Sequence, residues 1–345
     1  MIELSPGHAE SVASYTSRVR LFRLDQGGLF LALAVVLLAF LPSLGAGFVW
    51  DDSRHLSAPG MGDLSQIPSY LHRSMHEGLG AEHEAAEGLD LYRPAILTLF
   101  SLQVALSGPS GPSALLFHSV SLALHLVVVL VFGYLLRRWV TPGPLGLVAL
   151  LFFGLHPVAG QAVLFASAQT DLLLLLCLLG IALVLDPTDP GERTASRETT
   201  HPLRLAGAAA LSLIASLSKE SAFLLVPLLL ALLVRRRGLS GRAILPALAT
   251  LSLGLALRLS SLDGLDSGMA GGQSNAVRHL PLLLVDALRA MATSMPVGLR
   301  HLYYDYSPVP GLVASGSGLL LAGLGVLAWR SRLYAPLAPW CFAML

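Results

Sequence analysis

The chain has 345 residues, 54% of them hydrophobic and only 12% charged, with a mean hydropathy of +0.69. A soluble domain carries roughly a quarter charged residues, so composition excludes an ordinary soluble enzyme and reads as an integral membrane protein. The net charge of +1 gives no global basic field for nucleic acid.

Residues 1–27 form an N-terminal segment with Arg18, Arg20 and Arg23 ahead of an apolar run at 28–48. That run is long enough to span a bilayer and no compact small-residue cleavage site follows, so it is expected to be a retained first helix. It closes on FVWDD, residues 48–52, which sets Asp51 and Asp52 where a membrane helix meets water. Residues 49–112 then make a long polar segment with an acidic cluster, Glu77, Glu82, Glu84, Glu87 and Asp90. Its tail, 91–108, is apolar but interrupted by Arg93, Pro94 and Gln103, as suits a helix lying in the interface better than a span.

Further apolar segments at 113–136, 143–158, 169–186, 203–218, 221–234, 243–259 and 314–329 predict helices, and 333–345 opens another. The expected architecture is an all-α, multi-pass bundle of about 8–9 spans, although several segments are short for a span at ~1.5 Å per residue. Flanking turns then complete them, or the bilayer thins locally. A second long polar segment, 260–313, holds an apolar stretch at 280–299 with Asp286 and Arg289 on one helical face. It is expected to be interfacial or re-entrant. The last residues, PWCFAML, stop in mid-pattern, as a fragment of a longer helix would. Cys177 and Cys341 sit singly in apolar runs without metal-ligand spacing and read as core residues.

Arginine orients the chain. With the N-terminus in the cytoplasm, the doublet Arg137–Arg138 and the triplet Arg235–Arg237 abut cytoplasmic helix ends, where such charges weigh most. The segments 49–112 and 260–313 are then external. So are several ionisable helix ends: Asp51 and Asp52, His156 before Pro157, Asp171, and the turn containing Glu220 and the chain's single lysine, Lys219. Ionisable groups gathered at one membrane boundary are a functional signal. Each has a plainer reading: a solvated acidic pair, a Lys219–Glu220 ion pair within its turn, a His-Pro that ends a helix. His118 and His125, seven residues apart on one helical face, read as buried, hydrogen-bonded packing. It is their coincidence on one side that favours chemistry at the membrane surface.

FVWDD, YRPAILTLFSLQVALSG with LFHSVSLALH, LFFGLHPVAGQAVLFASAQTDLL, SLSKESAFLLVPLLL and MPVGLRHLYYDYSP follow one another in order. This succession resembles the membrane portion of the transmembrane and tetratricopeptide-repeat O-mannosyltransferase family. More broadly it resembles the GT-C superfamily of multi-pass glycosyltransferases, over about residues 28 to 330. The chain departs from the family pattern at Gln161, where an acid is usual, and at Ser121, where Asn is usual, and no tetratricopeptide repeat follows.

The resemblance implies a catalytic membrane domain over 28–330, with 331–345 starting a further helix. It implies inverting transfer of a sugar, mannose-like, from a polyprenyl-phosphate donor to a hydroxyl of a protein Ser/Thr or glycolipid acceptor. Asp51 would be the general base and Asp52 would orient acceptor or backbone; inversion needs no second carboxylate as nucleophile. The departing phosphate calls for cations or hydrogen-bond donors: Lys219 first, then Arg93, His156 and Arg300, with Asp171 and Glu220 orienting these groups or the sugar hydroxyls. No ligand spacing requires a cofactor, while a divalent metal between carboxylates is compatible with the pattern. The alternatives are a polyprenyl-lipid flippase or transporter, which would carry polar positions near the bilayer midplane, and an inactive GT-C homologue, which Gln161 would suit. A bacterial inner membrane with the active face toward the periplasm is the expected setting, or the endoplasmic reticulum in a eukaryote.

Overall fold

The computed structural model describes residues 24–75 except Trp50, Ser57 and Pro59, together with 91–139, 144–186 and 201–262. Every regular element among the described residues is helical, which satisfies the backbone N–H and C=O groups of long apolar runs within each segment. In chain order these are α1 (Gln26–Phe40), α2 (Asp51–Leu56), α3 (Pro94–Ser107), α4 (Ala114–Trp139) and α5 (Pro144–Leu155). There follow α6 (Pro157–Leu164), α7 (Gln169–Leu185), α8 (Pro202–Ser218), α9 (Ala222–Arg237) and α10 (Leu245–Ser261). Short 3-10 turns continue α1 (Leu41–Gly45) and precede α7 (Ala166–Ala168) and α10 (Gly241–Ile244), and a longer one runs over Leu64–Leu71.

Proline and capping residues set the helix starts. Pro94, Pro144, Pro157 and Pro202 each open a helix, where the missing N–H costs no intrahelical bond. Asp25 caps α1 by accepting from the Gly28 N–H at 2.9 Å, which starts that helix two residues ahead of the expected 28. The segment expected as one helix over 143–158 is two: α5 stops at Leu155, and Pro157 begins α6 instead of merely ending its predecessor. Gly238, at φ +67°, closes α9 in the left-handed region that glycine enters at little cost.

Four segments are long and apolar enough to cross a membrane: Gln26–Gly45, Ala114–Trp139, Ala166–Leu185 and Gly241–Ser261. Four apolar helices are shorter, at Pro94–Ser107, Leu145–Leu155, Pro202–Ser218 and Ala222–Arg235. Phe30, Leu38, Leu145 and Leu203 lie two-thirds or more exposed on the outside of the bundle, as a lipid-facing surface would be. The main core joins α1, α4, α5, α7, α8, α9 and α10, with Val36, Val128, Phe132, Leu150, Ile181, Ala215 and Ala247 buried within it. A smaller core lies under the 60–75 segment, around Tyr70, Ile96, Leu97, Phe100 and Phe117.

Lipid removes most of the hydrophobic drive for helices to associate, leaving close packing and interhelical hydrogen bonds. Both are present. Gly154 lets Val36 of α1 approach α5, Gly180 admits Leu211 of α8, and Gly254 of α10 lies against Ser216 of α8. Ser212 donates to the Ala247 carbonyl at 2.8 Å and Thr250 to the Ala209 carbonyl at 2.8 Å, so α8 and α10 are stitched in both directions. His118 and His125 have the expected packing role: their Nε2 atoms meet the carbonyls of Gly47 (3.3 Å) and Gly154 (2.9 Å), tying α4 to the end of α1 and to α5.

The bundle has two polar ends. At one, the Trp139 indole donates to Asp186 at 2.9 Å, beside Arg137 and Arg138 of α4. At the other lie the start of α7, the end of α8, the start of α3 and the end of α10, and there the charged groups converge.

Candidate active site at one end of the bundle

Asp52 is fully buried, in the second position of α2. Its Oδ1 accepts from the Ser167 N–H at 2.8 Å, and Oδ2 accepts from Ala166 (3.2 Å) and Val49 (3.3 Å). Three backbone donors on one carboxylate make a fixed joint between the end of the first helix and the 3-10 turn that leads into α7. Asp51 is the first residue of α2, and its side chain lies outside the described residues. The joint therefore sets where Asp51 enters the chain, one residue before the anchored Asp52.

From the turn at 166–168 the chain passes directly into α7, whose first turn carries Asp171. Asp171 pairs with Lys219, the residue that caps the end of α8. The neighbouring Thr170 hydroxyl donates to the Ser218 carbonyl at 2.8 Å, so α7 and α8 are fastened at two successive positions. The adjacent acid, Glu220, does not pair with Lys219 as a tight-turn ion pair would. Lys219 is extended (φ −157°, ψ +145°), and successive side chains of extended backbone point to opposite sides.

Glu220 instead bridges two arginines. Arg93, the residue before α3, donates from Nη2 at 2.9 Å and from Nε at 3.3 Å, and Arg258, in the last turn of α10, donates from Nη1 at 3.0 Å. Burial opposes ionisation of Glu220, but the charges and hydrogen bonds of Arg93 and the charge of Arg258 outweigh it, holding the carboxyl below the ordinary glutamate range. The same two arms meet again nearby: Tyr92 donates its hydroxyl to the Leu71 carbonyl at 3.0 Å and Ser261 donates to that carbonyl at 3.2 Å. The end of the 60–75 segment is thereby strapped to α3 and α10. Burial pushes the Tyr92 hydroxyl above its usual range.

His156 is buried at the break between α5 and α6, with the Phe152 ring edge-on at 5.1 Å between centroids. Gln161 is exposed on α6. Arg300 and the expected helix at 280–299 lie outside the described residues. Of the expected site residues, Asp171, Lys219, Glu220 and Arg93 thus fall in one cluster of two ion-paired sets, and Asp52 anchors the turn that leads into it. Arg258 was missed, although it is the sole charged residue between 243 and 262. A lone charge in an apolar helix is the signal that would have found it.

No group of three or more histidine, cysteine or acidic side chains among the described residues is arranged to hold a metal ion. A cluster of three cations and two acids, Lys219, Arg93 and Arg258 with Asp171 and Glu220, can bind an anionic group, and a carboxylate beside it can accept a proton from a hydroxyl. No protein-family model, curated protein or solved structure gives a significant match to this chain.

Proposed function

We propose that the protein is an integral membrane glycosyltransferase of about 8–9 spans. It moves a mannose-like sugar from a polyprenyl-phosphate carrier to a hydroxyl acceptor, protein Ser/Thr, with inversion. The observation that carries this reading is the convergence of Asp171–Lys219 and Arg93–Glu220–Arg258 at the bundle end that begins with Asp51 and Asp52. The arginine-rich opposite end, near Arg137 and Arg138, then faces the cytoplasm, and the cluster faces the periplasm or its equivalent.

In the proposed reaction the acceptor oxygen attacks the anomeric carbon from the face opposite the phosphate. The bond from that carbon to the phosphate oxygen breaks with its electron pair leaving on phosphate, and the hydroxyl proton passes to Asp51. A hydroxyl is a weak nucleophile, so proton removal as the bond forms contributes about 10²- to 10⁴-fold. The cations of the cluster stabilise the charge that builds on the leaving phosphate. Asp52 acts through the backbone, holding the chain that presents Asp51 to the turn that presents Asp171.

The test is transfer by the purified protein in proteoliposomes, from a panel of polyprenyl-phosphate sugars to serine/threonine peptides and to glycolipid acceptors. Product on a peptide supports the reading. Movement of the carrier across the bilayer without product would replace it with a flippase.

A further inference from the structure

The end of the bundle opposite Asp171 and Glu220 gathers charge of one sign. Leu29 of α1 packs over Gly133 of α4, and Gly207 of α8 lies beside Val184 of α7. Arg138 of α4 reaches the Leu183 carbonyl of α7 at 3.5 Å, and near the start of α10 Thr250 donates to Ala209 of α8. The start of α1, the ends of α4 and α7 and the starts of α8 and α10 therefore share this end, and α9, which leaves the turn at Glu220, finishes there with Arg237. The segments 1–25, 136–144, 186–204 and 235–245, which open or join these helix ends, hold twelve arginines and seven acids. A surplus of five positive charges remains however the groups pair.

Helix length sets the depth of this charge. α8 has 17 residues and α9 has 16. At ~1.5 Å per residue each is about 25 Å long, against ~30 Å for the hydrocarbon core. Arg204 and Arg235, at their ends, are thereby drawn to the level of the lipid phosphates. Aromatic groups suited to a membrane interface lie at the same end: the Arg137 guanidinium is 5.9 Å from the Tyr134 ring centre, and Asp186 holds the Trp139 indole. Arg137, Arg138 and Arg235, in last helical turns, complement the helix dipole. Arg204, in the first turn of α8, and Arg242, in the turn that opens α10, oppose it, so neither serves to stabilise its own helix.

We propose that this end of the bundle is a docking surface for anionic phospholipid headgroups, with Arg204 and Arg242 among its ligands. Arg242 is exposed and Arg204 half-buried, as suits groups that reach from the protein edge to a headgroup. Guanidinium forks match phosphate oxygens two at a time, and a one-sided surplus of positive charge at the membrane surface selects lipids of net negative charge over zwitterionic ones. The surface uses none of the residues at the opposite end and does not rest on the transferase reading.

The experiment equilibrates the purified full chain in mixed micelles with equal amounts of phosphatidylglycerol and phosphatidylcholine of matched acyl chains, then counts the retained lipids by native mass spectrometry. One arginine near an anionic surface is worth about fivefold in binding, so phosphatidylglycerol should be preferred by about fivefold or more at low salt. Wild-type protein supplies a readout independent of variant folding: the preference should fall by about threefold or more at ~0.5 M salt, where charges are screened beyond a few ångströms. The double variant Arg204→Gln/Arg242→Gln should lose about threefold or more of the preference, and it should fold, because each arginine opposes the dipole of the helix it opens. Arg73→Gln, exposed at the opposite end beside the Leu71 strap, should leave the preference unchanged. Equal retention of the two lipids by wild type, a preference that salt does not lower, or an unchanged preference in the folded double variant overturns the proposal. An equal fall in Arg73→Gln overturns it too, because the effect would then be one of overall charge. Displacement of the retained phosphatidylglycerol by glycerol phosphate at the same concentration would assign the surface to a free phosphate and overturn the lipid as its occupant.

Discussion

Replacing Asp52 by Asn changes one atom type in a joint that has no slack. Both carboxylate oxygens are occupied, Oδ1 by the Ser167 N–H and Oδ2 by those of Ala166 and Val49. An amide can present its oxygen to one of these sides only, and turns an NH₂ donor toward the N–H on the other. At least one charge-assisted bond is lost, and the survivors become neutral ones. At about 1.5–3 kcal/mol for a hydrogen bond to a charged group, and with Asp52 fully buried so that no solvent compensates, Asp52→Asn should lower stability by about 2–4 kcal/mol. The assay is SDS-induced unfolding in mixed micelles, following helicity and comparing unfolding free energies at matched lipid. A loss within about 0.5 kcal/mol, the range of an ordinary surface substitution, would refute the joint.

Glu220 has a depressed folded pKa, so its stabilising contribution is complete above the ordinary glutamate value of 4.5 and disappears as pH falls through the lower folded value; Glu220→Gln should flatten the acid limb of the stability profile, and unchanged acid sensitivity would contradict the bridge. A Cβ at Gly254 would lie 2.7 Å from Ser216 Cβ, so Gly254→Ala should cost about 1–3 kcal/mol by prising α10 from α8. Gly207 has only an ordinary 3.5 Å contact with Val184, so Gly207→Ala should gain up to about 1 kcal/mol of helix propensity, and micelle unfolding of the two variants should move in opposite directions. Gln103 and Gln169 exchange amide hydrogen bonds at 2.8 and 3.1 Å in the core; Gln169→Leu alone should cost about 1–3 kcal/mol, and the double change to Leu at both positions less than either single one by the same unfolding measurement.

Helix starts and the convergence of charge at one end were legible because proline, aspartate and lone cations interrupt an otherwise apolar text. Partners were not. Asp52 reads as a helix-end acid because the groups it binds are backbone N–H of Ala166 and Ser167, which carry no side-chain signature and lie far along the chain. Lys219 and Glu220 invite pairing by adjacency, and only the extended backbone at Lys219 shows them facing apart. Gln103 looks like an interruption of an apolar tail until Gln169 and Ser121, on two other helices, complete its polar network. Short apolar segments such as 202–218 leave the number of spans to the flanking turns, while the four long ones declare themselves by length. Arg258 is legible in its isolation, as the sole charged residue between 243 and 262.

The most direct test of the central claim is the rate of sugar transfer by folded, correctly inserted wild-type and Asp51→Asn proteins in the same proteoliposomes, with Asp52→Asn alongside. Asn keeps the size and a hydrogen-bonding carbonyl of Asp51 but cannot take the acceptor's proton. A general base at Asp51 predicts a fall of about 10²- to 10⁴-fold in Asp51→Asn and a smaller one in whatever fraction of Asp52→Asn remains folded. Transfer at the wild-type rate by Asp51→Asn would contradict it.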